Sequence, residues 1–265
     1  MLPLDRISPL KDRAEISIIV PVYNEEDNVV PLYQEIVQAL KVENVCFEVI
    51  FVDDGSTDKT SDRLQMLRTE ALNLRVVQHA RNYGQSASIF SGAKAAIYPL
   101  LITLDGDGQN DPKDIAKLIV SFQQNTSEKP QNAERSTFSK PCVVFGMRAK
   151  RKDSLWRIIA SRVSNGVRQW LLKDHCTDTG CSLKLFPRQA FLELPHFNHC
   201  HRFLPALFQR AGFELINIPV NHRPRQHGQS KYGTFDRLWV GIHDLMGMHW
   251  LVKRPCKPEI LSDEH

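Results

Sequence analysis

No stretch of this 265-residue chain reaches the roughly 18 consecutive apolar residues that a membrane-spanning helix requires. The longest candidate, residues 235–252, is interrupted by Asp236, Arg237, His243 and Asp244, so the chain is not expected to cross a bilayer by itself. No secretory signal is expected in MLPLDRISPLKDRAE, which is too charged to be one. Cys46, Cys142, Cys176, Cys181, Cys200 and Cys256 show no paired metal-ligand spacing, and with no signal expected they point to the reducing cytoplasm. Net charge is scarce. The 34 Lys and Arg against 30 Asp and Glu leave +4, which gives no basis for nucleic-acid binding in bulk, although basic residues crowd into 148–173 and 222–237. No internal repeat is visible.

What the chain does have is a hydrophobic content of 42%, enough to bury one large core with appendages. ISIIVPVY (16–23), FEVIFVDD (47–54), LRVVQHA (74–80) and LLITLDGD (100–107) read as buried strands. Helix-like stretches follow them at 27–40, 58–69, 85–96 and 112–124, the last opening with Asp111 as cap and Pro112 in its first turn. Such βαβα order predicts an α/β fold with a mostly parallel sheet covered on both faces. Its ligand crevice should lie at the strand C-termini. Residues 124–141 lack apolar periodicity and read as a flexible insertion; a strand over Val143–Gly146, a helix over Ser154–Leu172 and a strand in FELINIPV come after it.

The last helix, within 234–265, places Phe235, Leu238, Trp239, Ile242, Leu245, Met246, His249, Trp250 and Leu251 at near-helical spacing, with KRPCKP behind it. This pattern suits packing on the domain, packing on another copy of the chain, or an in-plane membrane helix. The group His196, His199, Cys200 and His201 looks like a soft-metal patch, but its apolar flanks predict a helix corner instead.

Polar clusters close three of the strands. Asp105-Gly-Asp107-Gly-Gln109 offers oxygen ligands to Mg²⁺ or Mn²⁺, which take few protein carboxylates and complete their shells with phosphate and water. If the segment stays extended, Asp107 and Gln109 share a side and are the direct ligands, with Asp105 on the ribose or in support. Alone, the D-x-D pattern is as readily a turn. Val52-Asp53-Asp54-Gly55-Ser56-Thr57-Asp58 ends the second strand, with Asp58 placed to cap a helix, and Pro21-Val22-Tyr23-Asn24-Glu25 ends the first.

These clusters, together with RNYGQSASIFSGAKAA, FGMRAKR and RQHGQSKYG, stand in the order found in family 2 glycosyltransferases. Over roughly residues 15–235 the chain resembles the dolichol-phosphate mannosyltransferase and bacterial polyprenyl-phosphate glycosyltransferase branch. The resemblance implies a GT-A fold over 15–233, with a 1–14 extension before it, a nucleotide-sugar donor and a divalent metal. It implies that Pro21, Tyr23, Glu25 and Asp53 line the nucleotide pocket, that Asp105, Asp107 and Gln109 hold metal and diphosphate, and that Arg225, Ser230 and Lys231 close over the diphosphate. Cations and metal there would stabilise the charge of the departing group. Arg148, Arg151, Ser161 and Arg162 would receive a lipid phosphate acceptor, whose own charge removes the need for a strong base. A neutral hydroxyl acceptor would need one, and Asp178 is the candidate. A non-catalytic nucleotide-sugar-binding module is the remaining alternative. Two departures stand out: Lys184 occupies a place where related chains commonly carry arginine, and the 124–141 insertion is long. Many bacterial relatives continue into transmembrane helices. Access to the membrane's cytoplasmic face would here depend on helix 234–252, on Trp239 and Trp250, or on an integral membrane partner.

Overall fold

The computed structural model describes residues 13–41, 45–127, 141–148, 166, 168–174, 176, 178–224 and 234–254. Strands β1 (Ala14–Val22), β2 (Val45–Asp53), β3 (Leu74–Gln78) and β4 (Leu100–Thr103) alternate with helices α1 (Val29–Leu40), α2 (Thr60–Glu70) and α3 (Gln85–Ala95). A short 3₁₀ turn, Pro112–Asp114, leads into α4 (Ile115–Ser127), followed by β5 (Cys142–Arg148), β6 (Lys184–Pro187), α5 (Arg188–Leu192), α6 (Leu204–Ala211), β7 (Glu214–Val220) and α7 (Thr234–Lys253).

The strands form one seven-stranded sheet in the order β3-β2-β1-β4-β6-β5-β7. Only β6 runs against its neighbours, so β1, β2, β3, β4, β5 and β7 all end on the same edge of the sheet. β6 begins on that edge. Alternation along the strands sends Ile16, Ile18 and Val20 into a core with Ile36 of α1, Leu64 of α2 and Leu118 and Phe122 of α4. Ile19, Ile50, Leu101, Phe145 and Phe186 pack on the other face against Ile89 of α3 and Leu207 and Phe208 of α6. Each fully buried side chain of this size contributes about 1.5–3 kcal/mol, against about 0–1 kcal/mol for an exposed ion pair. Packing on two helical layers therefore holds the strand ends in place.

Two expectations change. The fourth strand stops at Thr103 instead of running on to 107, and the chain turns over 106–108 with Gly108 at φ +71°. β6 was not foreseen: it is four residues long, entirely buried, and runs directly into α5, whose N-cap is its own last residue, Pro187. Of the helix expected over 154–172, residues 166 and 168–172 are described and are helical. Of the expected 124–141 insertion, 124–127 are the last turn of α4, and 128–140 lie outside the described residues.

Candidate active site

The first two strand ends are stitched together by loop side chains. Asn24, at φ +53°, donates its N–H to Ser56 Oγ at 2.9 Å and accepts the Thr57 N–H on Oδ1 at 2.8 Å. The Glu25 N–H reaches Thr60 Oγ1 at 2.8 Å, while Asp58 accepts the Thr60 N–H at 3.0 Å and the Thr60 hydroxyl at 2.6 Å. Asp58 thus caps the entry to α2 as its spacing implied, and these bonds draw its carboxyl pKa below the ordinary value against the opposing effect of burial. Glu25, expected in the nucleotide pocket, accepts Asn28 Nδ2 at 2.6 Å.

Asp53 and Asp54 divide the work at the end of β2. Asp53 is fully buried; its Oδ1 accepts the Ser56 N–H at 3.0 Å, and its Oδ2 has no hydrogen-bond partner among the described residues. A buried acceptor left this way costs about 1–3 kcal/mol, and a ligand N–H recovers it. Asp54 is structural. It accepts the backbone N–H groups of Tyr83 and Gly84 at 2.9 and 2.7 Å and meets His79 Nδ1 at 2.7 Å, and His79 Nε2 in turn meets Ser91 Oγ at 2.9 Å. The N-terminus of α3 is thereby fixed beside the β2 end.

From that helix Gln85 reaches across to the fourth strand end, where its Nε2 donates to Asp105 Oδ1 at 2.7 Å. Burial first, then the like charge of Asp107, raises the Asp105 pKa to about 6, with Lys184 and Arg148 opposing from nearby. Asp107 Oδ1 accepts the Gln109 N–H at 3.1 Å, so Asp107-Gly108-Gln109 is a tight turn and not the extended segment from which a shared side was argued. Gly106 is required by its neighbours: a Cβ there would lie 2.5 Å from Val22 Cγ1 and 2.9 Å from the Pro21 carbonyl oxygen. Pro21, the expected nucleotide wall, therefore abuts the D-x-D turn, one residue before Val22 closes β1 beside Tyr23.

A third group arrives from β5 and β6. Arg148 Nε and Nη2 bind the two oxygens of Asp178 at 2.7 Å each, and Gly180 leaves the room for that guanidinium. The Arg148 pKa is lowered by burial and raised by more through Asp178, so the cation is held firmly. Lys184 is buried beneath these carboxylates; it donates to the Cys181 carbonyl, and burial lowers its pKa. Behind the turn, Arg223 binds Glu35 Oε2 at 2.6 Å and Asp111 Oδ1 at 2.7 Å, while its N–H bonds the Gln109 carbonyl at 2.8 Å. An open cleft lined by Glu35, Gln38, Asp111, Lys113 and Arg223 lies on that side, away from the strand-end carboxylates.

The strand ends thus bring Pro21, Tyr23, Glu25, Asp53, Asp105, Asp107, Gln109, Arg148 and Asp178 to one edge of the sheet. Arg151, Ser161, Arg162, Arg225, Ser230 and Lys231 lie outside the described residues. Gln85, Asp54, His79 and Arg223 received no role from the sequence; Gln85 sits inside the RNYGQ motif, which was the only signal for it. The histidine group at 196–201 resolves into separate contacts: the His196 ring lies tilted with its centroid 4.1 Å from that of Phe90, His199 Nδ1 meets Asp244 at 3.1 Å, and His201 Nδ1 meets Ser86 Oγ at 2.7 Å.

Among the described residues no group of three or more His, Cys, Asp or Glu is set to hold a metal. Asp105, Asp107 and Gln109 could supply two carboxylates and an amide, leaving the remaining ligands to phosphate and water. That set would suit Mg²⁺ or Mn²⁺, and a divalent cation would offset the burial and the neighbouring charge of Asp107 that raise the Asp105 pKa.

A family model described as glycosyl transferase family 2 matches residues 17–191. The chain belongs to glycosyl transferase family 2. Among curated relatives of this glycosyltransferase, the dodecaprenyl-phosphate galacturonate synthase of Rhizobium johnstonii is 32% identical over 248 residues, covering 92% of this chain and 69% of that protein. An undecaprenyl-phosphate 4-deoxy-4-formamido-L-arabinose transferase of Edwardsiella ictaluri is 32% identical over 241 residues, covering 91% and 69%. The fold is shared with glucosyl-3-phosphoglycerate synthase from Mycobacterium tuberculosis, solved with Mg²⁺ and UDP, at TM-score 0.62 and 17% identity over 90% of this chain and 79% of that one. The expected GT-A architecture is the one observed.

Proposed function

We propose that this glycosyltransferase moves a sugar from a UDP- or GDP-sugar to a polyprenyl phosphate at the cytoplasmic face of a membrane, with inversion at the anomeric carbon. The observation that carries the reading is the convergence, on one sheet edge, of a buried unsatisfied carboxylate at Asp53, the Asp105 and Asp107 pair, and the Arg148 guanidinium. Relatives whose names specify dodecaprenyl or undecaprenyl phosphate support the acceptor.

In this reading Asp53 Oδ2 accepts a base N–H, and Pro21 and Tyr23 wall the nucleotide. Asp107, Gln109 and Asp105 would hold Mg²⁺ or Mn²⁺, which supplies positive charge to the diphosphate leaving group. Gln85 holds Asp105 in orientation. Arg225, Ser230 and Lys231 carry further charge to the diphosphate, and Arg148, Arg151, Ser161 and Arg162 receive the acceptor phosphate. An acceptor that arrives as an anion needs orientation more than deprotonation. The rival acceptor, a neutral hydroxyl, needs a general base, and both oxygens of Asp178 are already engaged by Arg148.

The test is release of UDP or GDP from a panel of donors in the presence of extracted polyprenyl phosphate and Mn²⁺. Turnover that Asp107→Ala abolishes is the expected result. Equal turnover with a neutral glycoside would move the acceptor assignment to hydroxyls, and donor binding with no turnover on any acceptor would make the chain a binding module.

A further inference from the structure

We propose that the seam between residues 168–172 and the C-terminal half of α7 is a docking surface for an anionic lipid bilayer, a proposal that rests on the lipid-borne acceptor assigned above. The two segments are far apart in sequence and meet where His249 Nδ1 lies 3.1 Å from the Leu171 carbonyl oxygen. Trp170 and Trp250 are each one residue from that contact, and both are exposed, at 79% and 59%. Adjacent Cα atoms are about 3.8 Å apart, so the two tryptophans are carried on backbone positions beside one seam. Met246, one helical turn before Trp250, is 65% exposed. The opposite side of the same helix is already used: Met248 is buried, and Leu245, Leu251 and Val252 pack on the second core. On the exposed side Met246 and Trp250 have no covering among the described residues, and His243 and Lys253 are exposed beside them.

Its surroundings favour an anionic bilayer over a second apolar protein face. Lys173, Lys253 and Arg254 are exposed around the tryptophans, and the Arg254 guanidinium lies 5.5 Å above the Trp250 ring. Among described residues 166–174 and 243–254 the acids are Asp174, which is buried against Arg168 at 3.1 Å, and Asp244, which meets His199 at 3.1 Å. Basic residues at helix C-termini also complement the helix dipole, but that does not account for two exposed indoles and a methionine beside them. Tryptophan with a basic rim matches the headgroup boundary of an anionic membrane, where each Lys or Arg adds about fivefold to binding.

The full chain would be floated with phosphatidylcholine vesicles with and without phosphatidylglycerol. Binding only to the anionic vesicles, weakened by salt, is expected. A Lys173→Glu, Lys253→Glu, Arg254→Glu variant should lose about a hundredfold or more, and Trp170→Ser with Trp250→Ser should lose the blue shift of tryptophan emission on binding. Because the altered side chains are exposed, an unchanged melting temperature verifies folding. Wild-type protein that stays soluble with both vesicles overturns the proposal. So does binding that the variants leave intact, or a dimer that the tryptophan variant converts to monomer without any vesicle effect. Transfer to a short, detergent-dispersed polyprenyl phosphate needs no bilayer and should be equal in wild type and variants. If wild type lacks that transfer, the acceptor reading fails, while the flotation result stands or falls by itself.

Discussion

Asp178 grips Arg148 with both carboxylate oxygens, each at 2.7 Å, and its Oδ2 also accepts the Arg148 backbone N–H at 3.2 Å. The side chains are 14% and 11% exposed, so the pair is shielded enough for its geometry to matter. A carboxylate engaged in this way orients a cation and is poorly placed to take a proton. Asp178→Asn keeps the shape and removes the charge. With a phosphate acceptor, it should raise the acceptor KM by about tenfold, since a guanidinium freed from its fork no longer presents a fixed donor set. If Asp178 were instead the base, kcat should fall by about 10²–10⁴ with KM unchanged. Steady-state kinetics on one acceptor separates the two outcomes.

Gln85 holds Asp105 at 2.7 Å from a different element, and its removal tests whether the metal carboxylates need that support. Gln85→Leu leaves one oxygen of Asp105 without its donor. Partners that orient metal-binding groups typically account for about 10–100-fold in metal affinity. Titration of Mn²⁺ into the protein with UDP should show a loss of that size with little change in melting temperature. An unaltered titration would reduce the Gln85 contact to packing.

The first half of the fold was legible because apolar runs of strand length alternate with amphipathic stretches of helix length. Boundaries shifted where loops are stitched by side chains: α1 starts at Val29 and not at 27, because Asn24 and Glu25 are bonded across to Ser56 and Thr60. The Asp58 and Asp111 caps could be read because capping depends on local spacing, and both accept N–H groups two residues on. β6 could not. Four buried residues that pair antiparallel with strands far earlier in the chain, Lys184 with Phe145 and Leu185 with Ile102 among them, carry no periodicity of their own. The site divides in the same way: the carboxylates at strand ends announce themselves, whereas Gln85 to Asp105 and Arg223 to Glu35 are long-range contacts that only the fold creates.

Gly106 makes the D-x-D turn possible by having no side chain. A methyl group there would meet Val22 Cγ1 at 2.5 Å and the Pro21 carbonyl oxygen at 2.9 Å, and the backbone oxygen has no room to yield. Gly106→Ala should therefore push the turn off β1, cost about 1–3 kcal/mol and weaken nucleotide binding together with stability. Gly108 is the control. Its Cβ position is open, so Gly108→Ala is strained only through its φ of +71° and should leave Pro21 and Val22 undisturbed. Urea unfolding and UDP titration of both variants measure the difference.

His201 gives stability a pH dependence that can be assigned to one residue. Its Nδ1 lies 2.7 Å from Ser86 Oγ, and burial, followed by the positive charges of Lys184 and Arg202, holds its pKa down to about 3. The folded chain thus keeps this imidazole neutral, while the unfolded chain protonates it near its ordinary value of 6.5. Between those values the unfolded state binds the extra proton, so stability is full above about pH 6.5 and declines as pH falls, by at most about 1.4 kcal/mol per unit. Carboxylates add their own slopes, so the informative quantity is a difference. His201→Asn retains a side chain able to hydrogen-bond but has nothing to protonate. Between pH 7 and pH 5 the wild type should lose up to about 2 kcal/mol more than this variant in urea unfolding. Equal losses would mean that the ring is solvated enough to titrate in the folded protein, and that the Ser86 contact opens to let it do so.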